Sequence, residues 1–162
     1  MIKLLRTAAF LLCTAVSAPL MAQDFDKGFA AYDAGDYDAA LQEWRSLAEQ
    51  SYAAAQNNVG VMYDNGEGVL QDYAEAVKWY RLAAEQGYAA AHNNVGLMYA
   101  NGRGVVQDAV LAHMWLNIAG ANGHALGSEN RGEIEQRMTR EQVADAQVRA
   151  RSCMSSDYQD CD

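Results

Sequence analysis

Between Tyr52 and Asp64 the apolar side chains Ala55, Val59, Met62 and Tyr63 recur at helical spacing and fall on one side. Asn65-Gly66 ends that helix, because asparagine and glycine accept the left-handed conformation that closes a helix. Gly68-Val69 crosses a turn, and Asp72 stands where an N-cap belongs, with Glu75 three residues on. A second helix then turns Ala76, Trp79, Tyr80 and Ala83 inward and ends at Gly87. The same signals return in Gly102, Gly104, Asp108, Ala112, Trp115, Ala119 and Gly123. Residues 51–86 and 87–122 share 19 of 36 positions without a gap. A fixed period of this length means stacked helix pairs, each burying its apolar face against the next.

The pattern extends in both directions. Asp36-Tyr37 aligns with Asp72-Tyr73, Ala40 with Ala76 and Trp44 with Tyr80, which predicts a first pair, Phe25–Ala34 and Asp36–Gln50, joined at Gly35. Downstream, Asn130 and Gly132 keep register with Asn94 and Gly96, but Met138 replaces the turn glycine. Thr139 and Gln142 form a capping box for a last helix through about Ser152. The expected layout is a solenoid over residues 23–152, with units at about 24–50, 51–86, 87–122 and a partial 123–138, then a cap at 139–152. Terminal units depart from a repeat because they must show a polar outer face. Gly60 and Gly96 lie inside helices, where glycine costs about 1 kcal/mol against alanine, so close helix–helix approach is expected there.

Alanines leading to Gly-x-Met-Tyr, Asn-Gly-x-Gly-Val, then Asp, Ala, Trp and paired alanines resemble the Sel-one-like repeat, a relative of the tetratricopeptide repeats. The likeness is specific over Tyr52–Gly123 and extends over about residues 24–138. The closing Arg137–Gln142 and the helix after it resemble the C-terminal cap of short bacterial members. The resemblance implies an all-α, right-handed α-solenoid used as an adaptor or binding scaffold in the bacterial envelope. Its motif residues are structural, so it implies no catalytic residue and no cofactor. One cysteine-rich branch of the family is linked to β-lactam hydrolysis, but this chain lacks a cysteine pair in each repeat. Nor does any serine precede a lysine by three residues, the spacing of a serine nucleophile and its activator. A β-lactam or cell-wall hydrolase is therefore the least favoured reading.

Composition adds location and partner class. Lys3 and Arg6 precede an apolar Thr7–Val16, and Ala22 offers a small residue for cleavage, so residues 1–22 read as a secretory signal peptide too short to span a bilayer. Removing them leaves 21 acidic against ten basic side chains, which repels nucleic acid and favours either a basic protein or peptide partner or simple solubility. A periplasmic or secreted monomer is expected, with Cys153 and Cys161 joined in an acidic tail over residues 153–162. His92, His113 and His124 lack the i, i+4 spacing of paired ligands, so no metal site is expected.

Partner-binding candidates come from the first helix of each pair. Asparagine is a weak helix former, so the doubled Asn57-Asn58 and Asn93-Asn94 need a reason. Hydrogen bonding to the backbone of a neighbouring turn suits Asn58 and Asn94. A polar ladder on the concave face suits Asn57 and Asn93, flanked by Gln56 and His92, with Tyr63 and Tyr99 showing an edge to the groove. Positions that differ between copies, Gln56/His92, Val61/Leu97, Asp64/Ala100 and Glu67/Arg103, are further groove candidates. The alternative is a regulatory or assembly subunit of an envelope complex that docks by its convex or end surface.

Overall fold

A computed structural model describes residues 18–161, and among them every regular element is a helix. The order is α1 (Ala18–Asp33), α2 (Tyr37–Glu49), α3 (Ala53–Asn65), α4 (Tyr73–Ala84), α5 (Ala89–Asn101), α6 (Ala109–Ala121), α7 (Ala125–Glu135) and α8 (Arg140–Ser155). α1 begins before Phe25, inside the expected leader, and the rest of that leader, residues 1–17, lies outside the described residues.

Each unit closes by short-range chemistry that recurs with the period. Asp72 accepts from the backbone N–H groups of Ala74 and Glu75, and Asp108 from those of Val110 and Leu111, satisfying the free donors of α4 and α6. At the other side of the turn, Gln71 Nε2 donates to the Asp64 carbonyl and Gln107 Nε2 to the Ala100 carbonyl, both at 2.7 Å. These bonds explain why Gln-Asp recurs as a pair. Thr139 and Gln142 form the expected capping box of α8. Gly68 and Gly104 have positive φ, and a side chain there would strike the carbonyl of Tyr37 or Tyr73 at the start of the preceding unit's second helix.

α1 pairs with α2, α3 with α4 and α5 with α6, while α2 meets α3 and α4 meets α5 to stack the pairs. The helical glycines sit where the two helices of a pair approach. A β-carbon on Gly60 would lie 2.6 Å from the Tyr80 ring, and one on Gly96 would lie 2.7 Å from Leu116. Trp115 is buried, whereas Trp79 remains half-buried and Val77 and Ala84 complete the buried face of α4.

The last unit departs from the hairpin pattern. α7 packs on α6, but α8 also packs chiefly on α6 and buries Ala146, Ala150 and Cys153 there. α6 is thus enclosed on several sides, and Ala112 through Leu116, Ile118 and Ala119 are all buried. A helix apolar all round is a buried helix. Cys153 and Cys161 form a disulfide, and the loop it closes turns back onto the stack.

Candidate functional site

The first helices α3, α5 and α7 are tied edge to edge by asparagine side chains. Asn94 Nδ2 donates to Asn57 Oδ1 at 3.0 Å, and Asn130 Nδ2 donates to Asn93 Oδ1 at 2.9 Å. Asn57 and Asn93 are 7 % and 5 % exposed, so the ladder lies within the stack and aligns its first helices. Asn94 bonds to a side chain, not to the neighbouring backbone that the sequence suggested. Asn58 Nδ2 is buried without any hydrogen-bond partner.

Gln56 is also buried, donating to the Ala48 carbonyl and accepting from Gln86 Nε2 at 2.7 Å. His92, in the same register, is 0 % exposed. Its ring stacks on Trp115, meets Tyr158 of the disulfide loop at 4.9 Å, and lies 3.4 Å from Asn122. Burial pushes its pKa down to about 4, against a smaller opposite effect of the Ala84 backbone. Tyr63 and Tyr99 receive hydrogen bonds on their hydroxyls from Arg45 and Arg81, each on the second helix of the preceding unit. Tyr63 is half-buried and Tyr99 buried.

Two of the differing positions meet each other. Arg103 lies 3.8 Å from Asp64, so the turn of one unit reaches back to the first helix of the unit before. Glu67, in the register of Arg103, likewise reaches back and accepts from Tyr32 Oη at 2.7 Å. That bond, with burial, pushes the Tyr32 hydroxyl up to about 12. Burial raises the Asp64 carboxyl pKa, and Arg103 works against the rise.

A pocket of about 200 Å³ opens at the N-terminal end of this face, bounded by Phe29 and Tyr32 of α1, Trp44 of α2, and Asn58 and Val61 of α3. Phe29 and Tyr32 set their rings 5.2 Å and 5.4 Å from Trp44. Phe29 remains 44 % exposed. The asparagine bond spans 37 residues, one more than the repeat, so the repeat pattern does not mark this pocket.

Among the described residues no group of three or more His, Cys, Asp and Glu is placed to hold a metal ion. His113 faces Glu135 at 3.4 Å, and His124 stands at the N-cap of α7. No described helix is long and apolar enough to cross a membrane.

A family model for the Sel1 repeat matches residues 53–88 and again 89–124, the copies that hold Asn57, Asn93 and Asn94 of the ladder. Residues 53–124 therefore form two consecutive Sel1 repeats. Among solved structures it is similar to c5321, a protective antigen present in uropathogenic Escherichia coli strains and displaying an SLR fold, with a TM-score of 0.79 and 29% identity. That match covers 85% of this chain and 31% of c5321. It is also similar to a Sel1 repeat protein from Oxalobacter formigenes, with a TM-score of 0.64 and 35% identity over 68% of this chain and 44% of that one. The chain therefore spans less than half the length of either. No curated protein matches it. Sel1 repeats are generally protein-interaction scaffolds and typically non-catalytic, and the disulfide is consistent with an extracytoplasmic protein.

Proposed function

We propose that this Sel1-repeat protein is a non-enzymatic scaffold of the bacterial envelope, exported by residues 1–22, that binds a protein partner on the face formed by its first helices. The observation that carries this reading is the asparagine ladder, which aligns α3, α5 and α7 into one continuous surface. Asn57 and Asn93 hold that surface from beneath, and Val61 and Leu97, half-buried and different in the two copies, face the partner. Tyr63 contributes its exposed edge. A photo-crosslinking residue at Val61 or Leu97 is expected to capture a protein in intact cells, whereas one at Lys78 on the outer helix is not. Capture from Lys78 alone would remove the first-helix face from consideration.

A second reading is favoured by Leu70 and Val106, which occupy the same turn position in the two copies and are 92% and 87% exposed. Two aliphatic side chains in register on one edge suit docking of the chain as an assembly subunit. Replacing both with serine is then expected to abolish the in-cell crosslinks without shifting thermal unfolding.

A further inference from the structure

The ladder is incomplete at its N-terminal end, and the missing rung borders the pocket. Asn94 and Asn130 each donate to an asparagine of the preceding unit, but Asn58 has no such partner and its Nδ2 stays buried and unpaired. A buried donor without an acceptor costs free energy that a bound carbonyl would return. Around it the walls are Phe29, Tyr32, Trp44 and Val61, an apolar lining with one polar group. At about 200 Å³ the space is below the roughly 300–1,000 Å³ of small-molecule sites, which suits one side chain rather than a whole ligand. Residues 24–50, which build most of the wall, hold seven acidic and two basic side chains. Both bases are already engaged, Lys27 with Asp24 at 2.7 Å and Arg45 with Glu49 and Tyr63.

Building on the scaffold reading above, we propose that this pocket seats one apolar side chain of an extended, basic peptide segment of the partner, with a backbone carbonyl of that segment accepting from Asn58. Asn58 lines the pocket, and a turn of its side chain presents the amide donor to a carbonyl seated there. The acidic surface around the pocket attracts the flanking lysines or arginines and raises the encounter rate at low salt.

The test uses the full chain and labelled, end-blocked nonapeptides with a central Leu, Ile, Met or Phe between lysines, read by fluorescence polarisation. Saturable binding is expected from at least one of them, lost when the central residue is serine and lost when the lysines are glutamates. Phe29→Ser is expected to abolish it. Asn58→Leu is the decisive variant, because a purely structural asparagine and a ligand-holding one give opposite pairs of results. Removing a buried unpaired donor leaves thermal stability unchanged or raised, while peptide binding weakens by roughly three- to tenfold. Stability falling with Asn58→Leu while affinity is unchanged would overturn the assignment, as would binding indifferent to the central residue or to charge. A crosslinker at Phe29 that captures residues 1–17 or a second copy of the chain would also overturn it. In-cell crosslinks from Leu97 that survive Phe29→Ser would leave the scaffold reading standing when the pocket assignment fails; their absence in the unaltered chain would sink both.

Discussion

The copies 51–86 and 87–122 are alike at 19 of 36 positions, yet their second helices live in different surroundings. α4 keeps an outer face open to solvent, where Lys78 is exposed and paired to Glu75 at 2.7 Å. The matching positions of α6 are Met114 and Leu111, and Met114 is 1% exposed beneath α8. Several departures from the repeat therefore serve this chain's own ends rather than an outside partner. Met114 receives α8, His92 receives Tyr158, and Arg103 meets Asp64. A mismatch between copies marks a difference in neighbours, and only structure tells whether that neighbour belongs to the same chain.

Exchanging residues between the copies tests that reading. Met114→Lys, which gives α6 the residue of α4, buries an unpaired charge and is expected to cost more than about 3 kcal/mol and strip hydrogen-exchange protection from residues 140–155. The reciprocal Lys78→Met on the open face is expected to stay within about 0.5 kcal/mol by urea unfolding. Equal effects would mean that α8 contributes little to the difference.

His92→Gln, which installs the residue of the first copy, sharpens the comparison through pH. The unfolded chain protonates His92 at the ordinary value of 6.5, whereas the folded chain resists until about 4. Stability from the neutral ring is thus complete above 6.5 and is lost as the pH falls to 4, by about 3 kcal/mol. Burial also lowers the His113 pKa, so the variant is expected to flatten the acid limb in part. An unchanged slope in urea titrations between pH 7 and 4 would show that the His92 environment opens before it titrates.

Gly60 and Gly96 are identical residues with different opposites, a tyrosine ring and a branched leucine beside the Ala112 carbonyl. Alanine at Gly96 is expected to cost about 1–3 kcal/mol by overpacking, and alanine at Gly60 less if the Tyr80 ring slides aside. A small gain is expected at Ser51, whose φ of 64° stands where the next copy has Gly87 at 78°. Ser51→Gly is expected to stabilise by about 0.5–1 kcal/mol, seen as a raised midpoint with an unchanged slope.

Most of the fold was legible because its signals are local. Asp72 and Asp108 cap the helix they begin, Gly66 and Gly102 close the helix they follow, and Cys153 lies eight residues from Cys161. The position of α8 was less so, because the register decays after Gly132 and the buried stripe of Ala146, Ala150 and Cys153 is short and small. Its signature lay instead in α6, where Lys78 gives way to Met114. The pocket was hidden for a geometric reason. Asparagine bonds advance one residue further than the repeat, so the chain carries no motif at the place where the bond is missing.

That extra residue also gives the stack a sense of direction. Each unit offers a donor backward and an acceptor forward, Asn94 to Asn57 and Asn130 to Asn93. Either amide can donate or accept, so the direction lies in position: the second asparagine site of one unit meets the first asparagine site of the unit before. A unit added head to tail therefore repeats the same rung, and that is the orientation in which a tandem duplication of the coding sequence delivers it.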